Sequence, residues 1–426
     1  MNAFETLAAF YETQREAELP CSATDVMRLC LLDWLIVSRA AKGDAVAESA
    51  LAYAAGQGEA SLFFGGGASA RMAALANGTV SHALDYDDTH FAHIGHVSTV
   101  VIPAALAMGE ARGASFETIL RAALMGAEAA TRFGVWLGRE HYQIGYHQTA
   151  TAGAIGAALA ASVAAGHRDV RAALSNACGF AAGLKAQFGT GMKPVNAGMA
   201  AANGVEAVLM AEAGLAGSET VFEAFAATHH GLKDTAAWDE IGEAWLFEAV
   251  THKFYPCCHG THAMIEALRD ALQRMPSSER TLERITVRTH PRWMSVCNKP
   301  SVKDALEAKF SYRALAALLV QTGGAAVDEA GLQSLFPMRE STGALMASVE
   351  VIADEAVSEE ASRVTLEAGG ASAQAEHDLR APMSFEARLE KLLAKGEGVL
   401  PKGEAARYWD VVQSADVNAL LSLITE

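Results

Sequence analysis

Basic residues are in short supply: 33 Lys and Arg stand against 50 Asp and Glu, a formal net charge of −17. A general nucleic-acid binder needs a basic footprint, so that balance excludes a nucleic-acid partner. Any anionic substrate must then meet a local basic pocket set in a repulsive overall field. Cysteines are few as well. There are six in 426 residues, without the paired spacing of a zinc ribbon or a disulfide framework, and this usage points to a reducing cytoplasm. The N-terminus lacks a basic region ahead of an apolar run and carries Glu5, Glu12, Glu16 and Glu18 instead, so it does not read as a secretory signal. Disorder is excluded too, because hydrophobic residues make up 51% of the chain and charged residues 19%.

One uncharged stretch, Tyr142 to Gly166, has the length to cross a bilayer. It is built largely from Ala, Gly, Thr and Ser, and it includes His147 and Gln148. Gly153, Ala157 and Ala161 repeat at four-residue spacing, which lets helices approach closely, and a buried helix is the expectation rather than a membrane partner.

What is present is organised in two textures, as the length itself suggests, since a single core stops growing near about 250–300 residues. Up to about residue 250 the chain reads as helix: Asp25–Ala41, Ala45–Ala55, Ser98–Arg112, Phe116–Leu137 and Val205–Ala213 carry apolar residues at three- and four-residue spacing. Further on, Leu282–Thr289, Ala347–Ala353 and Ala361–Glu367 alternate apolar and polar residues as half-buried strands do, and Ala371–Leu379 is a further candidate strand. Ser311–Gln321 and Phe385–Lys395 read as helices between and after them. The expected fold is mostly α: a large all-helical domain over residues 1–266, completed by C-terminal helices in 394–426, and a smaller α+β lid over 267–393.

Four places concentrate polar side chains in this apolar background. In Ser81–Ser98 (SHALDYDDTHFAHIGHVS), a helical start would put His82, Asp85 and Thr89 at i, i+3 and i+7 on one face. In Tyr146–Gly153, His147 sits at the mouth of the small-residue helix. In Gly189–Gly198, Lys193 follows a glycine-rich turn, and Gly191 and Gly198 let backbone approach a ligand. The fourth, His252–His262 (HKFYPCCHGTH), marks the border of the two textures, a favoured place for ligands. Each taken singly has a plain structural explanation; the four together point to an active site.

Metal chemistry has a claim on the same residues. Asp87, Asp88, Thr89, His90, His93 and His96 offer oxygen and nitrogen ligands, and Cys257, Cys258, His259 and His262 are zinc-capable types. A diphosphate-type magnesium site would need a second acidic helix motif, which is missing, and zinc sites separate their cysteines by two to four residues whereas these are adjacent. The expectation is therefore no metal. Acid–base chemistry on a carboxylate substrate fits better: lysines bind carboxylates, and histidine, ordinarily titrating near ~6.5, moves protons at neutral pH.

These motifs resemble the MmgE/PrpD family, which includes 2-methylcitrate dehydratase, cis-aconitate decarboxylase and iminodisuccinate epimerase. The strings that carry the resemblance are HALDYDDTH at 82–90, HVSTVVIPAALAMGE at 96–110, YHQTATAGAIGAALAA at 146–161, GTGMKPVNAGMAAANGVEAVLMAEAGLAG at 189–217, KFYPCCHGTHAMIEAL at 253–268 and AKFSYRALAALL at 308–319. They occur in family order over most of the chain. The resemblance implies a helical domain with an α+β lid, a homodimer and no obligatory cofactor. By position it implies a site of Asp85, Thr89, His96, His147, Lys193 and Lys253.

The chain also departs from its relatives. Cys258 stands where the decarboxylase branch has a histidine, with His259 and His262 beside it; Tyr312 follows Ser311 directly, where relatives place the tyrosine two residues later; and the Thr89–His96 stretch is one residue longer. The expectation is a cytoplasmic lyase of the dehydratase type acting on a small di- or tricarboxylate. His147 or His96 moves the proton, Lys193 and Lys253 hold carboxylates, and Asp85 and Thr89 orient substrate, with Cys258, His259 and Tyr312 as further binding residues. An epimerase or decarboxylase of the same fold is the near alternative. A metal-dependent hydrolase and a non-catalytic carboxylate-binding protein are the distant ones.

Overall fold

The computed structural model of the chain describes residues 2–275, 282–325 and 327–426. Eighteen α-helices and a small mixed sheet are found among the described residues, so the protein is mostly α with a smaller α+β part. Two compact units divide the chain: Met1–His252 with Arg388–Glu426, and Lys253–Ala387.

The larger unit is built around the Gln148–Ala164 helix, whose seventeen residues are all buried. It packs against the helices Ser98–Arg112, Phe116–Ile144 and Met192–Glu212. Small side chains make this possible. A methyl group on Gly156 would stand 2.4 Å from the Gly126 carbonyl oxygen, so the two backbones touch where only glycine fits. The Tyr142–Gly166 stretch thus forms the turn into this helix and the helix itself, and no described helix is long and apolar enough to cross a membrane. Phe116–Ile144 is regular up to Leu137, where the periodicity ends; Gly138 then adopts φ 72° and the helix resumes beyond the break. Met192–Glu212 begins well before the expected Val205, with Lys193 in its first turn and Pro194 just behind, where a missing N–H costs nothing. Its internal Gly198 lowers helix propensity, but a Cβ there would meet the Leu75 carbonyl oxygen at 2.2 Å, so helix contact outweighs propensity.

In this larger unit the C-terminal segment returns to the helix Cys21–Ala40, against which Glu404–Ser414 packs. Lys395 is fully buried there, ion-paired with Asp33, and donates to the Tyr86 carbonyl at 2.7 Å.

Among the described residues the smaller unit holds four strands, numbered after the two-residue strands β1 (Ala60–Ser61) and β2 (Gly67–Ala68) of the larger unit: β3 (Arg284–Thr289), β4 (Val349–Ala353), β5 (Ala361–Ala368) and β6 (Ala371–Asp378). Their order is β4-β3-β5-β6, with β3 and β4 parallel and the other pairs antiparallel. The first three fall where alternation of apolar and polar residues placed them, and β6 falls on the further candidate strand. The His262–Arg274 helix covers β5 and β6 and Tyr312–Gln321 packs on β4, which explains why one face of each strand is apolar.

Candidate active site

The Ala70–His82 helix ends at His82, and Asp85 takes a left-handed φ of 50°, which a short polar residue tolerates. The helical face expected for His82, Asp85 and Thr89 therefore does not form. Thr89 lies instead in an antiparallel bridge with Thr251, each donating its backbone N–H to the other's carbonyl at 2.9 and 2.8 Å. A folded loop runs from here to the Ser98–Arg112 helix. Asp88 shapes its exit by accepting from the backbone N–H groups of Val97 and Ser98 at 3.3 and 3.2 Å and from the Ser98 hydroxyl.

The loop brings charged groups together that the sequence keeps apart. Asp85 pairs with Lys193 (Oδ2 to Nζ, 2.6 Å) and faces His96 (Oδ1 to Nε2, 3.4 Å). Asp87 lies between two imidazoles, with Oδ1 2.8 Å from His82 Nδ1 and Oδ2 3.0 Å from His96 Nδ1. The His82 ring is 4.4 Å from that of His96 and 6.3 Å from that of His147. His96 is tied to the buried helix through its backbone N–H, which donates to Thr149 Oγ1 at 3.0 Å. His147 caps the start of that helix: its N–H donates to the Gly183 carbonyl, Asn196 Nδ2 lies 3.5 Å from its Nδ1, and its ring stands edge-on to Phe188 at 4.8 Å. Phe188 also lies 5.5 Å from the Lys193 ammonium.

Of the expected site residues, Asp85, His96, His147 and Lys193 thus share one cluster in the larger unit. His82, Asp87, Asn196 and Phe188 belong to it too and were not assigned roles from sequence. For His82 and Asp87 the signal was their place in HALDYDDTH; Asn196 and Phe188 carry no local signal, because only the helix packing brings them to His147.

Electrostatics separates the groups. Burial above all, then the neighbouring rings and Lys193, hold His147 well below the ordinary histidine value, so it is a neutral imidazole at neutral pH. Burial opposes the charge on Asp87, yet His82 and His96 outweigh it and hold this carboxyl well below the usual range. His90 and His93 differ: burial pushes them down to about 4 and about 3, His90 engages the Leu246 carbonyl at 2.8 Å, and His93 fills the space left by Gly134 and Gly95. They are neutral core histidines.

His82, Asp85, Asp87 and His96 bring one ligand atom each within 4.8 Å of one another, as do Cys30, Asp88 and His252. The first set has the donors of a divalent-metal site, but the Lys193 ammonium already occupies Asp85 and each Asp87 oxygen faces a ring nitrogen. In the second, Asp88 is engaged by the Val97 and Ser98 N–H groups and the Ser98 hydroxyl, and Cys30 Sγ already meets His252 Nε2 at 3.5 Å. Neither set fits a metal ion well.

The remaining expected residues lie in the smaller unit. Lys253 and His259 are buried and Cys258 is partly exposed. Cys257 Sγ lies 3.1 Å from Thr261 Oγ1, and burial raises its thiol to about 12. Tyr312 is buried, and its hydroxyl donates to the Gly260 carbonyl at 2.8 Å with Thr289 Oγ1 at 3.0 Å. That phenol is an internal tie of the smaller unit.

Two family models match the chain: the MmgE/PrpD N-terminal domain over residues 5–238 and the MmgE/PrpD C-terminal domain over residues 255–416. Together they cover nearly its whole length, and the chain belongs to the MmgE/PrpD family. That membership supports a dehydratase-like or related enzyme. Among curated proteins, no match is found.

Proposed function

We propose that the protein is a lyase of the dehydratase type, acting on a small di- or tricarboxylate by acid–base catalysis at a carbon next to a carboxylate. The observation that carries this reading is a neutral His147 beside the Asp85–Lys193 ion pair and the Asp85–His96–Asp87 chain. A neutral imidazole accepts a proton from carbon, and a nearby ammonium stabilises the enolate-like charge that develops as the proton leaves. Lys193 meets the substrate carboxylate, Asp85 orients Lys193 and His96, and His96 returns a proton to the departing hydroxyl. Lys253 is a second carboxylate-binding lysine by family position; Thr89, Cys258 and His259 are proposed for substrate binding on the same ground.

Loss of water, loss of carbon dioxide and inversion of a stereocentre all pass through related carbanion states, so the reaction is distinguished by product. Proton NMR in deuterated buffer with 2-methylcitrate, citrate, cis-aconitate and malate makes the test. A new carbon–carbon double bond with loss of the hydroxyl as water is expected, read as an olefinic proton or, from 2-methylcitrate, as a vinylic methyl signal. Deuterium entry without net product would replace dehydration by epimerisation, and a decarboxylated vinyl product would replace it by decarboxylation. A spectrum unchanged with all four compounds would remove the assignment to this substrate class.

A further inference from the structure

Asp33, Tyr86 and Lys395 form a buried group in the larger unit that the proposed reaction does not use. Asp33 stands on the Cys21–Ala40 helix, and Lys395 on the Phe385–Val399 helix, 362 positions further along the chain. Their ion pair is by itself a weak source of stability. Taking both charges out of water costs about what their attraction returns, and apolar residues of similar volume do as well. What the pair produces is a fixed point. The Lys395 ammonium donates to the Tyr86 carbonyl at 2.7 Å and lies 4.0 Å from the centre of the Tyr86 ring, so one group grips this residue by backbone and side chain together. Asp33 neutralises that ammonium and aims it.

Tyr86 separates the two carboxylates of the charged cluster. On one side of it Asp85 meets Lys193 and His96; on the other Asp87 meets His82 and His96. At Asp85 the backbone is left-handed, a conformation that a residue other than glycine keeps only where its surroundings impose it. Asp88 secures the far end of this turn through Val97 and Ser98, and Lys395 secures its middle.

We propose that Lys395, aimed by Asp33, is a positioning residue that sets Asp85 and Asp87 against Lys193 and His96 by holding Tyr86 between them. It acts through the backbone of the turn and moves no proton itself. A catalytic group misplaced by about 1 Å loses on the order of 10²-fold in rate, so a tie at this point is worth more to the reaction than to the fold. Lys193 and His147 are carried by other elements, the first turn of the Met192–Glu212 helix and the start of the Gln148–Ala164 helix. Substrate capture by Lys193 therefore survives without Lys395, and what is lost is the orientation of Asp85 and His96.

The catalytic consequence rests on the proposed function, whereas the fixing of the turn is measurable without substrate. Removing both charges separates stability from positioning. In the full-length Asp33→Leu/Lys395→Met variant, urea unfolding should stay close to that of the unaltered protein, because no buried charge is left unpaired. Amide hydrogen exchange in residues 83–89 should nevertheless quicken by about tenfold or more, with exchange in the Gln148–Ala164 helix unchanged. On the substrate that the product test identifies, kcat should fall by about tenfold or more while KM stays within about threefold. Two further variants share Asn at position 33 and differ only at 395. Asp33→Asn keeps the ammonium on Tyr86 and should retain slow exchange, with kcat within about threefold of the original. Asp33→Asn/Lys395→Met should lose both, so the comparison stands even where the apolar pair fails to fold. Exchange of the segment unchanged on loss of Lys395 overturns the proposal, and so does a loss of protection spread evenly over the larger unit, which marks a structural role alone. Quickened exchange in a protein that turns over no carboxylate would sink the proposed function and leave the tie standing; turnover with kcat and exchange indifferent to Lys395 would do the reverse.

Discussion

The segments Asp85–His96 and Lys253–His262 are both rich in histidine and both largely buried, yet their polar groups meet very different partners. In the first, carboxylates face imidazoles and an ammonium, and the groups are driven away from their ordinary protonation behaviour. In the second, thiols and hydroxyls meet one another and backbone carbonyls: Cys257 with Thr261, Thr261 with the Cys258 carbonyl at 2.7 Å, His262 with the Cys257 carbonyl at 3.4 Å. Burial there pushes the Cys257 thiol up to about 12, so it stands protonated at neutral pH. The difference teaches that the same residue types are driven from their ordinary protonation where paired charges are buried with them. Residue type alone does not distinguish the two segments, since Lys253 lies in the second; the carboxylate–imidazole and carboxylate–ammonium pairs around Asp85 and Asp87 do.

This contrast is open to direct attack, and the largest effect is expected in the charged region. Replacing Lys395 by Met would leave the Asp33 carboxylate buried without its partner and free the Tyr86 carbonyl at the root of the loop. A stability loss of about 3–5 kcal/mol is expected in urea unfolding, with recovery when Asp33 is changed to Leu as well. A loss near zero for the single variant would show that the charged interior carries no such dependence.

His147→Gln comes next, with a rate loss of more than about 10² expected on the substrate that the exchange experiment identifies. The sign of the pH effect follows from burial. In the proposed reaction His147 is the base; its pKa is held well below 6.5, and so activity should persist as pH falls through 6.5 and disappear only at lower pH. A kcat/KM profile whose acidic limb lies above 6.5 would move the base elsewhere in the cluster, with a loss under threefold in His147→Gln pointing the same way.

The smallest effect sharpens the comparison from the other side. Tyr312→Phe removes a buried hydroxyl that donates to Gly260, and about 1–2 kcal/mol of stability should go with it, while kcat/KM stays within about threefold. A hundredfold loss of turnover in this variant, with stability unchanged, would bring the phenol into the chemistry and erase the distinction between the two regions.

The helix Ala45–Ala54 and the strands of the sheet were readable because each buries one face, and a one-sided face imprints a period on the residues, whereas Ser98–Arg112 is buried on all sides from Ser98 to Gly109. Met192–Glu212 was read only in its second half, because Gly198 and Gly204 interrupt the pattern for the sake of close contact with Leu75 and Ala157. Four residues of the candidate site came from the motifs. The geometry of the Asp85–His96 loop did not, because Asp85 leaves the helical path in a left-handed turn that local sequence does not demand.

The sequence by itself determined the two textures, the acidic balance, the family and the residue types available for acid–base work, since these depend on composition and on periods of two or three to four residues. The tertiary structure alone decided which carboxylate faces which imidazole. It also decided that His93 is packed away against Gly134 while His96, three residues on, lies between two aspartates. The physical reason is that burial and Coulomb interaction act over a few ångströms of space. The partners involved, Asp87 with His82 and His96, Asp85 with Lys193, and Asp33 with Lys395, lie up to 362 positions apart in the chain.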